Sequence, residues 1–290
     1  MSKTCNYYIT LRCNDACEFC RVWTEQEQFV ETTDHEKIFR EMRIRGGRKV
    51  FITGGEPLLR ADLPEILRQG RKNNFWVGLM TNGILYQEVG RELKGLAHAI
   101  YFALDYPIME EHDRSRGVEC FNQVVPAIEY ARSLGETAII QYTMTRDSVR
   151  FLPEMVDLAK RLGVYLNLSP VYDYYGTQGF EKVTIAHILY FARRKHVLVN
   201  RAALEFIKRG GNNLIFPRCL AEETTLTVMP DGQFVKPCFY NRGGRQGREA
   251  ACSSCMRWPY MLPSFSQRPD RYYWLNLYSR FDAWRKGANI

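Results

Sequence analysis

Three thiols near the start of the chain, Cys13, Cys17 and Cys20, stand in the run Cys-Asn-Asp-Ala-Cys-Glu-Phe-Cys, a CxxxCxxC spacing. In an iron–sulfur cube each of the four irons takes one donor, so three cysteines hold three irons and leave the fourth open to a small molecule. The competing reading is a zinc knuckle. Zinc sites usually close with a fourth Cys or His nearby, often as paired CxxC units, and no such residue follows here until His35. The chemistry of the chain is therefore expected at the vacant iron.

Further devices lie downstream. Gly54-Gly55-Glu56-Pro57 joins two residues that allow close backbone approach to a carboxylate that can accept charge-assisted hydrogen bonds from an ammonium group. Asn82 lies in a Thr-Asn-Gly turn, where it either shapes a cavity or adopts the left-handed conformation itself. Asp105 ends the run Phe102-Ala103-Leu104-Asp105, and His112, Asp113, Arg114 and Arg116 follow, either as a solvated loop or with one arginine placed to meet a ligand carboxylate. Four more cysteines, Cys219, Cys238, Cys252 and Cys255, come late. Leu226 to Met229 and Phe234 to Lys236 flank Pro230-Asp231-Gly232, which reads as a β-hairpin. Four thiolates converging there suit either zinc or a second 4Fe–4S cluster. Cys5 and Cys120 match neither group and are expected to be buried or semi-buried thiols.

The elements that must position these residues alternate. Short β-branched and aromatic runs at Tyr7 to Leu11, Lys49 to Thr53, Trp76 to Met80, Ala99 to Leu104, Thr137 to Thr143 and Val164 to Leu168 predict six strands. Helical patterns fall between them at Asp34 to Arg45, Leu63 to Asn73, Tyr86 to Leu93, Phe121 to Leu134 and Leu152 to Leu162. Such alternation predicts an α/β fold with a parallel sheet and right-handed crossovers. In barrels of this kind chemistry gathers at the carboxyl ends of the strands, and nearly every predicted strand here is followed by a polar or glycine-rich device. All six strand ends are expected around one cavity.

CxxxCxxC after the first strand and Gly-Gly-Glu-Pro after the second resemble the signature of radical S-adenosylmethionine (SAM) enzymes. The resemblance implies a partial (β/α)6 TIM-type barrel and a 4Fe–4S cluster on Cys13, Cys17 and Cys20, with SAM chelated at the open iron. Reductive cleavage of SAM to a 5′-deoxyadenosyl radical would follow, the protein's part being to bind, orient and shield. It also implies that Gly54, Gly55, Glu56 and Pro57 bind the methionine end of SAM, that Phe19 lies near adenine, and that Asn82 and Asp105 belong to the SAM site. Phe19 reads equally as a core residue. Ala103 and Tyr106 replace the serine and glycine of the family's usual Ser-Leu-Asp-Gly. The late cysteines and hairpin resemble the SPASM and twitch branch, which implies an auxiliary 4Fe–4S cluster in a small C-terminal twitch-like domain. On this reading residues 1–180 form the barrel, and residues 181–290 a helix at His187 to Lys208, the cluster extension and an aromatic tail.

Within the family the substrate stays open: a small molecule, a ribosomal peptide, or a lipid of the hopanoid kind. An electron donor such as flavodoxin or ferredoxin is implied. No single hydrogen or proton donor stands out among Tyr142, Tyr172, Asp173, Tyr174 and Tyr175. A different class, a non-catalytic iron–sulfur or zinc electron carrier, is opposed by the ligand-binding devices at the strand ends.

Composition agrees with a folded enzyme. Of 290 residues 46% are hydrophobic, which excludes a disordered chain, and no apolar run of about 18 residues spans a bilayer. Nine cysteines without an export signal point to a reducing, cytoplasmic setting and metal ligation. The net charge of +8 is spread in short clusters, Arg43 to Lys49, Arg193 to Lys195 and Arg242 to Arg248, without the interleaved aromatics of a nucleic-acid surface. The tail, with Trp258, Tyr260, Tyr272, Tyr273, Trp274, Tyr278, Phe281 and Trp284, is expected to pack back on its own domain, or else to cover the cavity or touch a lipid or peptide.

Overall fold

The computed structural model describes residues 2–25, 30–171, 182–212, 219–238 and 255–288. In chain order the first half contains β1 (Lys3–Thr10), α1 (His35–Ile44), β2 (Gly47–Gly54), α2 (Leu63–Lys72), β3 (Trp76–Thr81) and α3 (Tyr86–Leu93). It continues with β4 (Ala99–Ala103), α4 (Met109–Arg116), α5 (Phe121–Ser133) and β5 (Ala138–Met144). Then come α6 (Leu152–Leu162), β6 (Tyr165–Pro170), α7 (Lys182–Phe191), β7 (Val197–Val199) and α8 (Arg201–Lys208). The last elements are α9 (Ala221–Thr224), β8 (Thr225–Val228), β9 (Phe234–Val235), α10 (Trp258–Met261) and α11 (Arg271–Arg285).

The chain divides into two compact units, residues 1–142 with 226–235, and residues 143–225 with 236–290. In the first, the strands run in the order β5-β4-β3-β2-β1-β8-β9. Neighbours from β1 to β5 are parallel, as βα crossovers require. This is the α/β, partial-barrel arrangement expected, and all six anticipated strands are present within a few residues of their predicted limits. Strand interiors are apolar because helices cover one face and the barrel interior the other: Tyr7, Ile9, Val50, Ile52, Val77, Leu79, Ile100 and Phe102 are all buried.

The β8–β9 hairpin forms as predicted and is antiparallel. It joins the first unit at the β1 edge. Gly232 turns it with φ +83°, and a Cβ there would meet Ile38 Cδ1 at 3.1 Å. Pro230 O accepts a hydrogen bond from Thr32 N at 2.8 Å, and Arg45 lies over the Phe234 ring at 4.2 Å.

In the second unit β6 pairs in parallel with β7, and α11 packs on α8. The segment predicted as one helix from His187 to Lys208 is instead α7, β7 and α8. Asn200 caps α8 by accepting from Ala203 N, and Val197–Val199 are β-branched or apolar residues that pair well with β6. The aromatic tail divides. Trp258, Tyr260 and Tyr272 are buried, whereas Trp274, Tyr278, Phe281 and Trp284 are exposed.

Candidate active site

The loop after β1 leaves the sheet beside the end of β2. Gly55 N donates to Thr10 O at 2.9 Å and Glu56 N to Arg12 O at 2.8 Å, so the two backbones touch where the cysteine loop begins. Gly54 has φ +138°, and a Cβ on it would sit 2.1 Å from Thr10 O; one on Gly55 would sit 2.1 Å from Arg12 O. The room the two glycines free is thus occupied by the β1 backbone, a demand that a turn-forming glycine would not make.

From the other side the loop is held by the end of α4. Ala16 N donates to Arg116 O at 2.9 Å and Glu18 N to Ser115 O at 3.3 Å. These carbonyls are left free by the helix end, which Gly117 closes in the left-handed conformation, φ +71°. A Cβ on Gly117 would press against Ala16 O at 2.9 Å.

One cavity results. It is lined by Cys13, Cys17 and Cys20, by Phe19 and Trp23, by Gly54, Gly55 and Glu56, by Thr81 and Asn82, and by Tyr101, Ala103, Arg116 and Gln141. Five strand ends of the first unit contribute, from β1 through β5. The open space, mouth and adjoining solvent included, is about 620 Å³. Of the six strand ends expected around one cavity, that of β6 belongs to the second unit, as do residues 145–147 beyond β5.

Glu56 is buried to 1% exposure. Its Oε1 accepts from Leu58 N at 2.9 Å and Thr81 Oγ1 at 2.8 Å, and its Oε2 from Asn82 N at 2.7 Å. Burial pushes its carboxyl up to about 7, against the pull of these three donors. The carboxylate therefore ties the end of β2 to the end of β3. Asn82 donates through Nδ2 to Asn14 Oδ1 at 2.8 Å and Asp15 Oδ1 at 3.0 Å, which fastens the β3 turn to the cysteine loop. The alternative of Asn82 as a left-handed turn residue does not hold, since Gly83 takes the positive φ, +83°. Pro57 opens a short 3-10 turn over Pro57–Leu59 and is buried.

Arg116 is the centre of charge. Its guanidinium contacts Asp105 Oδ2 closely, lies 3.5 Å from Asp15 Oδ2 and donates to Cys17 Sγ at 3.5 Å. The side chain is 7% exposed and its Nε has no hydrogen-bond partner among the described residues. Asp105 thus stands behind Arg116. The solvated-loop reading of residues 112–116 is overturned: they form α4, with His112, Ser115 and Arg116 buried. Arg114, by contrast, is exposed and pairs with Glu111. His112 accepts through Nδ1 from Asp105 N at 3.3 Å, and burial with the nearby Arg116 charge holds its imidazole neutral, down to about 2. Phe19 is not a core residue; it is half-exposed on the cavity wall, 5.5 Å from the Arg116 guanidinium.

A second network lies under the loop and was not anticipated. Arg60 donates to Ile9 O at 2.9 Å, Thr32 O at 3.1 Å and Asp62 Oδ1 at 2.7 Å. His35 bonds through Nδ1 to Tyr7 OH at 2.9 Å and through Nε2 to Asp62 Oδ2 at 3.0 Å. Both imidazole nitrogens are engaged, so His35 is not spare to close a zinc site.

The chemistry of the three thiols fits a cluster, although among the described residues no three Cys, His, Asp or Glu side chains stand together closely enough to hold a single metal ion. They share one cavity with an orphaned, buried guanidinium N–H, and Cys13 is pushed up to about 12, chiefly by burial. A buried thiolate is costly unless a metal cation compensates it. Cys5 and Cys120 are buried at 0% and 1% exposure, as expected. Of the second group, Cys219, Cys238 and Cys255 are half-buried, while Cys252 lies outside the described residues, as do Tyr172, Asp173, Tyr174, Tyr175 and the Arg242 to Arg248 cluster. Lys236 pairs with Glu222 at 3.5 Å, linking the segments that carry Cys238 and Cys219. Asn212 N donates to Cys255 O at 2.9 Å. Tyr142 is fully buried.

The chain is similar to several known proteins. A probable GTP 3′,8-cyclase of Methanococcus maripaludis is 25% identical over 254 residues, covering 80% of this chain and 83% of that one. An AdoMet-dependent heme synthase of Oleidesulfovibrio alaskensis is 29% identical over 161 residues, 53% of this chain and 42% of its own. The crystal structure of Streptococcus suis SuiB bound to precursor peptide SuiA superimposes with a TM-score of 0.70 at 17% identity, covering 94% of this chain and 66% of that chain; at such identity the likeness speaks for the fold. The family model described as the radical SAM superfamily matches residues 7–159, more than half of the 290 residues. The chain therefore belongs to the radical SAM superfamily and is an enzyme of that family, which implies SAM and a 4Fe–4S cluster as its cofactors.

Proposed function

We propose that Cys13, Cys17 and Cys20 ligate the SAM-binding 4Fe–4S cluster and that the enzyme modifies an organic substrate by hydrogen abstraction or radical addition. The observation that carries this reading is the single cavity uniting the three thiols with Gly54, Gly55, Glu56 and Asn82. When bound, cluster and SAM supply a 5′-deoxyadenosyl radical by reductive cleavage of the sulfonium. The chain's own residues do the rest. Glu56 Oε2 accepts one hydrogen bond among the described residues, and a carboxylate oxygen can take a second, so it can receive the ammonium of SAM. Phe19 offers an aromatic face to adenine. Arg116 neutralises two buried carboxylates and directs an N–H at Cys17, and Tyr101, Ala103 and Gln141 form the wall left for substrate.

Cys219, Cys238, Cys252 and Cys255 are proposed to hold an auxiliary 4Fe–4S cluster, and flavodoxin or ferredoxin to deliver the electron. Anaerobic reconstitution followed by SAM and a strong reductant tests both parts. Formation of 5′-deoxyadenosine and methionine, with about eight irons per chain, is the expected result. Four irons with bound zinc would overturn the auxiliary cluster alone. An intact, reduced first cluster that yields neither product would overturn the enzymatic reading.

A further inference from the structure

A helix on the outside of a folded unit normally turns its apolar stripe inward and leaves its polar side to water. α11 does the reverse. Its buried residues are Tyr272, which stacks on Phe265 at 5.2 Å between ring centroids, and Asn276 and Ser279, which hydrogen bonds fix there. Asn200 Nδ2 donates to Asn276 Oδ1 at 2.8 Å, Asn276 Nδ2 to Ser266 Oγ at 2.8 Å, and Arg201 N to Ser279 Oγ at 2.9 Å. The outer side carries Trp274, Leu277, Tyr278, Phe281 and Trp284, with the two tryptophans 61% and 65% exposed. At 3.6 residues per turn these five fall in one stripe about 120° wide along a helix about 22 Å long. Solvent-facing residues chosen for solubility would not gather in this way.

The stripe is bordered by positive charge. Arg280 on one side and Arg271 on the other border it, Arg285 lies within it near its C-terminal end, and all three are exposed. Arg201 lies over the Tyr278 ring at 4.9 Å. At the far end Lys286 Nζ donates to Ala192 O at 2.7 Å and Val197 O at 2.8 Å, which brings the exposed Arg193-Arg194-Lys195 turn beside the helix. The nearby carboxylates are engaged: Glu205, 10% exposed, pairs with Arg209 and Arg271, Asp282, 13% exposed, with Arg285 and Lys286, and Asp270 caps the helix by accepting from Tyr272 N and Tyr273 N. Cations therefore outnumber accessible anions around the stripe.

We propose that this face of α11, with the Arg193 to Lys195 turn, docks on the surface of an anionic phospholipid membrane. Tryptophan and tyrosine favour the interface, where the ring sits among acyl chains and the N–H or O–H meets the headgroups. A helix with an apolar stripe and basic borders lies in that plane, and basic side chains add attraction to anionic lipid. No helix among the described residues is long and apolar enough to cross a membrane, which fits lying on the surface. The inference is independent of the chemistry proposed above.

The test is co-sedimentation of the reconstituted full chain with vesicles of phosphatidylcholine alone and of phosphatidylcholine mixed with phosphatidylglycerol. Binding is expected to the mixed vesicles, weakened by salt, with a blue shift of tryptophan emission. Replacing Trp274, Phe281 and Trp284 together by serine should lower the partition coefficient at least about tenfold. Arg193→Gln, Arg194→Gln and Lys195→Gln should each lower it about fivefold. Circular dichroism melts and iron content check that the variants remain folded. The proposal is overturned if mixed vesicles bind no more protein than neutral ones, or if the folded triple variant binds as well as the parent. It is also overturned if sedimentation velocity finds a dimer that the triple variant abolishes, since the face would then cover a second copy.

Discussion

The two cysteine groups of this chain are built on different principles. Around Cys13, Cys17 and Cys20 the protein supplies the shape: β2 backbone on one side, α4 carbonyls on another, and Asn82, Asp15 and Arg116 between. Cys219, Cys238 and Cys255 instead border short elements, the single turn of α9, the two residues of β9 and an isolated bridge at Asn212. The first loop is held by long elements that need no metal; the late cysteines, if they hold a cluster as proposed, would gain their geometry on binding it, so that metal affinity becomes folding energy.

The largest expected effect separates the groups directly. Cys17→Ala should abolish 5′-deoxyadenosine formation, while Cys238→Ala should retain it in the absence of substrate. Cys238→Ala should lose iron and make the second unit more sensitive to limited proteolysis, and Cys17→Ala should leave the protease pattern unchanged. Equal loss of SAM cleavage in both variants would end the distinction.

Next in size is Arg116→Met. Removing this guanidinium leaves Asp15 and Asp105 buried without their cation, at 4% and 0% exposure. Breaking a buried ion pair from one side costs about 3–5 kcal/mol, read as a lower urea midpoint for the apoprotein. Arg116→Lys should recover part of it. A shift under 1 kcal/mol (about the size of a surface pair) would mean that the first cysteine loop does not depend on this charge.

Much of this first site was readable from sequence because its signals are local. β-branched runs marked the strands, and the cysteine spacing and Gly54-Gly55-Glu56 stood in order along the chain. α4 escaped because only polar residues are buried on it, His112, Ser115 and Arg116, so it has no apolar period to detect. The Arg60–Asp62–His35–Tyr7 network joins residues up to 55 positions apart and leaves no local trace. α11 was missed for the opposite reason to α4: its apolar stripe exists but faces away from the unit it belongs to.

A smaller effect distinguishes packing at the loop from backbone strain alone. Gly55→Ala would drive a Cβ to 2.1 Å from Arg12 O, and overpacking against backbone costs about 1–3 kcal/mol or more. Gly135→Ala faces open space at φ +84° and should pay only the left-handed penalty, about 1–2 kcal/mol. The sharper outcome is in iron loading, which should fall for Gly55→Ala because Arg12 leads into Cys13, and stay at the parent level for Gly135→Ala.

The smallest effect tests the network under the loop through pH. Arg60 and His35 hold the Asp62 carboxyl down to about 2, below its ordinary 3.8. Because the unfolded chain takes up that proton first, the network's contribution is complete above about pH 4 and is lost as pH falls toward 2. Asp62 is 34% exposed, so solvent screening limits the contribution to about 1 kcal/mol. Asp62→Asn should therefore lower the melting temperature at pH 7 by a few degrees and make no difference near pH 2. The same variant should leave iron loading at Cys13, Cys17 and Cys20 intact, because β2 and α4 still clamp the loop. A fall in loading as large as that of Gly55→Ala would show that Arg60, through its bond to Ile9 O, holds the cysteine loop as firmly as the strands do.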